Sequence, residues 1–276
     1  MKILVTGGSG QLGYDVINEL SKKGHKVIAP SHLELDISNE LAVSRFFSEQ
    51  IPDAVIHCAA YTAVDKAETE ETECRKTNVD GTKNITDQCI LNGLPEIMIS
   101  TDYVFDGSGF KPWEINDFVN PINTYGKSKS DAESIVLKNP KHFIVRISWV
   151  FGTNGNNFVK TMLNLSKKVK NLKVVADQIG SPTYTCDLAP LLCKMIEGDK
   201  YGVYHAHNEG FCSWYEFACK IFETAAIDLE VSPITSEEYP TKAKRPLNSR
   251  MSTHSLTASG FDLLPDWKDA IERYIP

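Results

Sequence analysis

The sequence predicts an α/β protein with a doubly wound parallel sheet and a smaller carboxyl-terminal region. Two observations support this prediction. Short apolar runs alternate with amphipathic segments of helical length, and a glycine-rich turn joins the first apolar run to the first such segment. This alternation is typical of parallel strands connected by helices that cover both faces of a sheet.

The predicted elements follow one another regularly through the first half of the chain. Strands are expected at 3–5, 26–29, 54–59, 97–100 and 143–148, and helices at 11–23, 40–49, 72–92 and 124–138. From about residue 152 the rhythm is less regular, with breakers such as Gly180-Ser181-Pro182. We therefore expect a Rossmann-type nucleotide-binding domain over 1–151. Residues 152–276 are expected to form mainly a substrate-binding region, with interleaving of the two allowed.

Composition excludes several classes of protein. The chain has 276 residues, 42% of them hydrophobic, and a net charge of -7, which argues against binding to nucleic acid or to an anionic membrane surface. No stretch approaches the ~18 apolar residues of a membrane span, and the first apolar run is too short for a signal peptide. Seven scattered cysteines without a C-x-x-C pair indicate reduced thiols. We expect a cytoplasmic protein.

The first strand leads into a glycine-rich turn, Thr6-Gly7-Gly8-Ser9-Gly10-Gln11-Leu12-Gly13. From Gly8 this segment fits G-x-G-x-x-G, in which glycines permit a tight turn, close approach to a pyrophosphate and close helix packing. The beginning of the following helix favours an anion. Turns also collect glycine for structural reasons alone, but the position between a strand and a helix favours a dinucleotide site.

The end of the second strand bears on the choice of cofactor. An acid here usually binds the ribose 2′-hydroxyl of NAD, but the strand ends in Ala29-Pro30-Ser31-His32. No arginine is present to bind a 2′-phosphate either, so the sequence leaves NADP and NAD open and leans towards NADPH. Asp36 either contacts adenine or begins the next helix.

Tyr125 and Lys129 form the candidate catalytic pair. They are spaced i, i+4 after a predicted Asn123 cap and therefore share one helical face. An ammonium beside a phenol is expected to lower the phenol's pKa and suit it to general acid catalysis. Tyr-x-x-x-Lys is also common by chance. In the structural alternative, Tyr125 lies at the edge of the core and Lys129 pairs with Glu133 in solvent.

A second feature gives the pair weight. Ser100-Thr101-Asp102 lies where the fourth strand ends, and catalytic groups of this architecture gather at the carboxyl ends of strands. The glycine turn, the Ser/Thr pair and Tyr-x-x-x-Lys are thus all expected at one sheet edge.

Together these motifs resemble the extended short-chain dehydrogenase/reductase superfamily over nearly the whole chain, and within it the dTDP-4-dehydrorhamnose reductases. The closer resemblance rests on five segments that occur in the same order, which are Ala59–Glu68, Ser100–Gly107, Arg146–Gly152, Gln178–Thr183 and Arg245–Ser249. It implies hydride transfer from NAD(P)H to C4 of a 4-keto-6-deoxy sugar nucleotide, with the proton supplied by Tyr125. Met251 stands where these enzymes usually have leucine.

The resemblance also assigns roles to individual residues. The pyrophosphate would lie at Gly7, Gly10, Gln11, Leu12 and Gly13, and the adenine beside Asp36 and Ile37. The rest of the cofactor would be lined by Ala59, Ala60, Tyr61, Ser100, Tyr125 and Lys129. Thr101 would assist catalysis, and the sugar nucleotide would contact Thr62, Thr101, Asp102, Trp149 and Arg245. Without the resemblance, Trp149 reads as core and Asp102 as a turn cap.

Three other functions compete with reduction. A nucleotide-sugar dehydratase would carry glutamate at position 103, where this chain has tyrosine, and a 4-epimerase is harder to separate. The non-catalytic regulatory subunit of methionine adenosyltransferase resembles the same reductases, but retention of Tyr125, Lys129 and Thr101 favours an enzyme. We expect a monomer or homodimer without a metal site. Arg250 is a second candidate for the diphosphate, with surface solubility as its simpler explanation.

Overall fold

The computed structural model describes residues 1–275 and contains a central sheet of six parallel strands. These strands are β1 (Lys2–Thr6), β2 (Lys26–Ile28), β3 (Ala54–His57), β4 (Glu96–Thr101), β5 (His142–Ile147) and β10 (Gly202–His205). Their order across the sheet is β10-β5-β4-β3-β1-β2, so the direction of winding reverses beside β1. The predicted doubly wound parallel sheet is confirmed. Such a reversal point leaves a crevice for ligands at the carboxyl ends of the strands.

Helices cover both faces of this sheet. They are α1 (Gln11–Lys22), α2 (Glu40–Gln50), α5 (Thr82–Asn92), α6 (Thr124–Val136) and α8 (Thr185–Ile196). Successive side chains of β1 point to opposite faces, so Ile3 packs in one core with Leu12 and Leu188, whereas Leu4 packs in another with Val43. The continuous apolar run in β1 is therefore the consequence of burial on both sides.

The single helix expected over 72–92 is interrupted. The chain forms two short helices, α3 (Val64–Ala67) and α4 (Glu71–Arg75), then a π-helical turn at Lys76–Gly81 before α5. Within the turn, Asn78 accepts a hydrogen bond from the Tyr61 amide at 2.8 Å and donates one to Ser128 Oγ at 2.9 Å. These tertiary bonds account for the irregularity, which periodicity alone does not reveal.

The second half of the chain adds short elements around an aromatic core that contains Phe151, Phe217 and Trp267. Its helices are α7 (Phe158–Ser166), α9 (Trp214–Thr224), α10 (His254–Ala258) and α11 (Trp267–Tyr274). Its strands form two-stranded pairs and are β6 (Val150–Phe151), β7 (Asn171–Val175), β8 (Ile179–Gly180), β9 (Thr183–Tyr184), β11 (Asn208–Glu209), β12 (Cys212–Ser213), β13 (Glu230–Ile234) and β14 (Leu264–Asp266).

Two elements that follow residue 152 are part of the central sheet or of the helices that pack on it. Strand β10 pairs with β5 at the edge of the sheet, and α8 shares a core with α1. Residues 1–151 therefore do not supply the whole sheet, and the two regions are interleaved. Over residues 1–275, all seven cysteines are free and no helix has the length and apolarity needed to cross a bilayer.

Candidate active site

A cavity of about 820 Å³ lies at the carboxyl ends of β1, β3 and β4, beside the reversal point of the sheet. It brings together all but two of the predicted site residues. Those that line it are Gly7, Gly10, Gln11, Leu12, Gly13, Asp36, Ile37, Ala59, Ala60, Thr62, Ser100, Thr101, Asp102, Tyr125, Lys129 and Trp149. The exceptions are Tyr61 and Arg245.

The glycine turn has the geometry that a dinucleotide pyrophosphate requires. Gly7 has φ +68°, and a Cβ on it would lie 2.7 Å from the Ala59 amide nitrogen. A Cβ on Gly13 would overlap the Gly7 backbone, so α1 packs directly against the turn. Gly10 precedes α1 without a side-chain cap from the described residues, which leaves the helix amides available to an anion. The turn therefore fits a dinucleotide.

A segment of the second region folds over this turn. Asn154 Nδ2 donates to the carbonyls of Ser9 at 2.7 Å and Gly10 at 3.2 Å, and Asn157 Nδ2 donates to Gln11 Oε1 at 3.0 Å. Sequence analysis missed this contact. Nothing local in the Asn-Gly-Asn-Asn run at 154–157 identifies the distant partner.

At the end of the cavity beside β2, Asp36 is tied to its own loop. Its Oδ1 accepts from the Ser38 amide at 3.0 Å and from Ser38 Oγ at 2.7 Å, which lowers the pKa of the Asp36 carboxyl. The N-cap of α2 is Asn39, whose Oδ1 accepts from the Ala42 amide at 3.1 Å. Asp36 therefore lines the cavity without capping the helix.

His32 also lines this end of the cavity and was missed as a site residue. Among the described lining residues, His32 and Lys129 carry the only basic side chains. No carboxylate follows β2 directly, as the sequence indicated.

Tyr61, which was predicted to line the cofactor, is held elsewhere. Its hydroxyl donates to Glu70 at 2.5 Å, and its amide donates to Asn78. The neighbouring Ala59, Ala60 and Thr62 line the cavity while Tyr61 does not. Its role in cofactor binding stays a prediction.

The helix that carries the candidate catalytic pair begins as the sequence predicted. Asn123 Oδ1 accepts from the Gly126 amide at 2.7 Å and forms the N-cap of α6. Glu68 Oε1 accepts from the Thr124 amide at 2.8 Å, so a carboxylate oxygen satisfies a second amide of this helix end. Tyr125 therefore enters the cavity from a firmly held first turn.

Lys129 lies one turn further along α6 and is 2% exposed. Its Nζ lies 3.5 Å from Met98 Sδ, and burial lowers the pKa of Lys129 to about 8. The solvated ion pair with Glu133 that the sequence left open is wrong. Glu133 is itself buried and pairs with Arg146 instead.

The pKa of Tyr125 differs in direction from our expectation. Burial raises it above its ordinary value, and the nearby Asp102 carboxyl adds to the rise, while Thr101 opposes it. Desolvation is the largest cause of the shift, and Lys129 is not among the groups that produce it. A phenol that keeps its proton at neutral pH is the form that a general acid needs.

Thr101 and Asp102 end β4 at the floor of the cavity. Thr101 Oγ1 donates to Asp102 Oδ1 at 3.0 Å and accepts from the Tyr103 amide at 3.2 Å. Asp102 Oδ2 is buried without a hydrogen-bond partner among the described residues, and burial raises the pKa of Asp102 to about 6. An unpartnered oxygen at a cavity wall is suited to a ligand donor.

Trp149 lines the cavity with an unusual backbone. Its φ is 48°, a left-handed conformation that is rare for a bulky residue and often marks functional sites. Its ring stacks on Trp214, which also lines the cavity. Trp149 is half-buried and packs against the aromatic core, so it combines a core contact with a place in the cavity lining. Trp214 was missed, because it is separated from Trp149 in sequence and follows an ordinary capping box at Ser213.

Arg245, predicted to meet the diphosphate, is paired with an acid. Its Nη2 lies 2.8 Å from Asp65 Oδ2, and Asp65 Oδ1 also accepts from the Ala243 amide. The pair joins α3 to the second region. Arg250 donates to Asn248 Oδ1 at 2.9 Å. Neither arginine lines the cavity, and Arg245 as a substrate contact stays a prediction.

No group of three histidine, cysteine, aspartate or glutamate side chains with a metal-binding arrangement occurs within residues 1–275.

Comparison with known proteins places the chain among sugar-nucleotide enzymes. The model of the RmlD substrate binding domain matches residues 1–276. The chain belongs to the RmlD substrate-binding-domain family. The resemblance to dTDP-4-dehydrorhamnose reductases, which rests on the five sequence segments, is thereby confirmed, and it extends over the whole chain.

Two known proteins are similar to this chain over nearly the whole of both sequences. The dTDP-4-dehydrorhamnose reductase of Aggregatibacter actinomycetemcomitans is 41% identical over 98% of this chain and 97% of its own. The spore coat polysaccharide biosynthesis protein SpsK of Bacillus subtilis is 39% identical over 99% of this chain and 96% of its own.

Solved structures agree with this assignment to the RmlD family. A dTDP-4-dehydrorhamnose reductase from Clostridium acetobutylicum is 46% identical, covers 100% of this chain and 98% of its own, and has a TM-score of 0.97. The corresponding enzyme of Bacillus anthracis, solved with NADP, is 41% identical over 99% and 98%, with a TM-score of 0.96. A UDP-glucose 4-epimerase from Thermus thermophilus, at 20% identity and a TM-score of 0.84, shares the fold.

Proposed function

We propose that this protein is an NAD(P)H-dependent reductase that converts dTDP-4-dehydro-L-rhamnose to dTDP-L-rhamnose by reducing the C4 keto group. One observation carries the proposal. Tyr125, Lys129 and Thr101 line the same cavity as a glycine turn that fits a dinucleotide. The names of the relatives support the choice of substrate.

Two groups on α6, Tyr125 and Lys129, take part in the proposed reduction. Reduced nicotinamide, when bound, supplies a hydride. The C4 carbon of the sugar forms the new C–H bond, and the electron pair of the C=O π bond moves onto oxygen. The O–H bond of Tyr125 breaks and its proton goes to that oxygen. The phenolate that remains is stabilised by the Lys129 ammonium, which is buried nearby on the same helical face.

Other residues orient the reactants. Thr101 lies close to the phenol and its hydroxyl is available to the sugar oxygen in place of Asp102. Asp102 Oδ2 is suited to accept a hydroxyl of the sugar. Trp149 and Trp214 supply an apolar wall that excludes water from one side.

For the cofactor we propose NADPH, with NADH possible. Three features support this. The turn at Gly7–Gly13 suits a pyrophosphate, no carboxylate follows β2, and the basic His32 lies at that end of the cavity. The relative from Bacillus anthracis was solved with NADP.

The proposal is tested by absorbance at the reduced-nicotinamide band. Purified protein is mixed with NADPH or NADH and with dTDP-6-deoxy-L-lyxo-4-hexulose, and the sugar product is analysed. We expect stoichiometric loss of reduced cofactor that requires the sugar. A changed sugar with no net loss of cofactor would identify an epimerase instead. Cofactor binding without any sugar chemistry would favour the non-catalytic regulatory role.

Tyr125→Phe tests the assignment of the acid. This variant should lose about 10²- to 10⁴-fold in kcat and keep its affinity for NADPH, because only the hydroxyl group that donates the proton is removed. Tyr14→Phe, an exposed tyrosine on α1, is the matched control and should retain full activity. A Tyr125→Phe variant with unchanged kcat would require another proton donor.

We further propose a cytoplasmic protein that acts as a monomer or homodimer. The net charge of -7 and free cysteines support this location. Size-exclusion chromatography with light scattering measures the oligomeric state against the monomer mass of 30.8 kDa.

A further inference from the structure

A buried ion pair lies directly behind the candidate catalytic lysine. Glu133, on α6, accepts from Arg146 Nε at 2.9 Å and from Nη2 at 2.7 Å, a two-point contact between β5 and the helix. Both residues are 4% exposed. An ion pair at this depth costs desolvation energy and is weak evidence for stability by itself, so another role is worth seeking.

The pair is fixed from several sides. Ser100 Oγ donates to Glu133 Oε1 at 2.5 Å, so a residue of β4 that lines the cavity also holds the carboxylate. The Arg146 guanidinium lies over the Phe105 ring, 5.1 Å from its centroid. Its Nη1 faces His205 Nε2 at 3.3 Å, and burial lowers the pKa of His205 well below its ordinary value. The neutral imidazole can therefore accept from the arginine.

Glu133 is positioned four residues after Lys129 on the same face of α6, and its charge favours the ammonium. The other titratable groups that face this ammonium are uncharged at neutral pH. Burial raises the pKa of Cys58 to about 12 and also raises that of Cys74, and burial lowers the pKa of His57 to about 3. Within this set, Glu133 is the anion.

We propose that Glu133, clamped by Arg146 and Ser100, is a positioning residue that acts through Lys129 and keeps it charged in the cavity. This inference rests on the proposed reductase function and assigns a role to a residue that does not line the cavity. The negative charge of the fixed Glu133 carboxylate offsets the desolvation cost of the buried Lys129 ammonium. Arg146 holds it against β5, and Lys129 stays available to the phenolate formed at Tyr125.

Glu96 allows a purely structural role to be separated from this one. It is also a fully buried glutamate, at the start of β4, where Thr86 and Asn139 donate to it. It is not among the groups that influence Lys129. Glu96→Gln therefore controls for the loss of a buried carboxylate at unchanged side-chain size.

The experiment measures the protonation of Lys129 in Glu133→Gln, Glu96→Gln and the parent protein. Lysine labelled with ¹³C at Cε reports the titration midpoint by NMR, and Lys129→Met assigns the signal. The midpoint and the basic limb of the kcat profile should both move about one pH unit lower in Glu133→Gln. Both should stay in place in Glu96→Gln. Equal midpoints in all three proteins would overturn the proposal.

A double variant covers the case in which Glu133→Gln does not fold, because it leaves Arg146 without its partner. Glu133→Met with Arg146→Met removes both charges at similar volume, a replacement that buried ion pairs often tolerate. The Lys129 midpoint should again fall. An unchanged midpoint in this folded variant would overturn the proposal. A lowered midpoint without any reduction of keto-sugar by the parent protein would support Glu133 and reject the proposed function.

Discussion

The indole rings of Trp149 and Trp214 stack face to face, with centroids 3.8 Å apart and 15° between their planes. Trp149 precedes β6 and Trp214 begins α9, so the stack joins the end of the first region to the second region at the cavity wall. Two adjacent aromatic faces form a broad apolar surface of the kind that accepts a sugar or a base.

Removing one ring should therefore weaken substrate binding. We expect Trp214→Ala to raise KM for the sugar nucleotide about ten-fold, equivalent to ~1.4 kcal/mol, and to change kcat little. Steady-state kinetics at saturating NADPH measure both constants. Tyr215→Ala, at the next position of α9 and outside the cavity lining, should leave KM unchanged. Equal KM values for both variants would exclude Trp214 from the substrate site.

Asp102 is expected to lower the free energy of unfolding at neutral pH, although it contributes to activity. Burial raises its pKa to about 6 from 3.8, so the folded protein retains a proton that the unfolded chain has released. The free energy of unfolding must then fall as the pH rises between these two values. Asp102→Asn removes this loss, which is at most ~3 kcal/mol.

The prediction for Asp102→Asn is thus higher stability with lower activity. Its thermal unfolding midpoint should exceed that of the parent protein at pH 7.5, with a smaller advantage at pH 4.5, while kcat/KM for the sugar falls. Differential scanning calorimetry at both pH values provides the comparison. An advantage that is the same at the two values would mean that titration of Asp102 does not contribute.

His32 should influence the choice between NADPH and NADH. The imidazole at the β2 end of the cavity can donate a hydrogen bond to a 2′-phosphate, so it should favour NADPH over NADH. We expect His32→Gln to remove about five-fold of that preference, or ~1 kcal/mol at a screened site. His254→Gln, an exposed histidine outside this cavity, is the control.

The measurement is the ratio of kcat/KM for NADPH to that for NADH in each variant. An unchanged ratio in His32→Gln would assign the preference to another group near the adenine end.

Variants of the Arg245–Asp65 pair can show whether Arg245 makes only this structural contact or also contacts the substrate. Its side chains are 23% and 43% exposed, so the loss of the ion pair alone should cost no more than ~1 kcal/mol. If Arg245 leaves Asp65 to meet the diphosphate, Arg245→Gln should raise KM about ten-fold, whereas Asp65→Asn should not. Equal changes in the two variants, measured by steady-state kinetics, would confine Arg245 to its structural contact.

Much of the architecture could be predicted because it depends on local patterns. The apolar run of β1, the glycines after it and the Asn123 cap of α6 each act over a few residues, and the parallel sheet then brings strand ends to one edge. This is why Gly7, Thr101 and Tyr125 were expected in one place.

The tertiary structure decided the features that depend on distant partners. Asn154 reaches the glycine turn, Trp214 meets Trp149, and Arg146 pairs with Glu133 through contacts that no periodicity encodes. It also reversed the expected direction of the Tyr125 pKa, because burial is the sum of many packed elements. The sequence by itself determined the sheet and the chemical groups at its edge. Packing determined their charge states and the walls of the cavity.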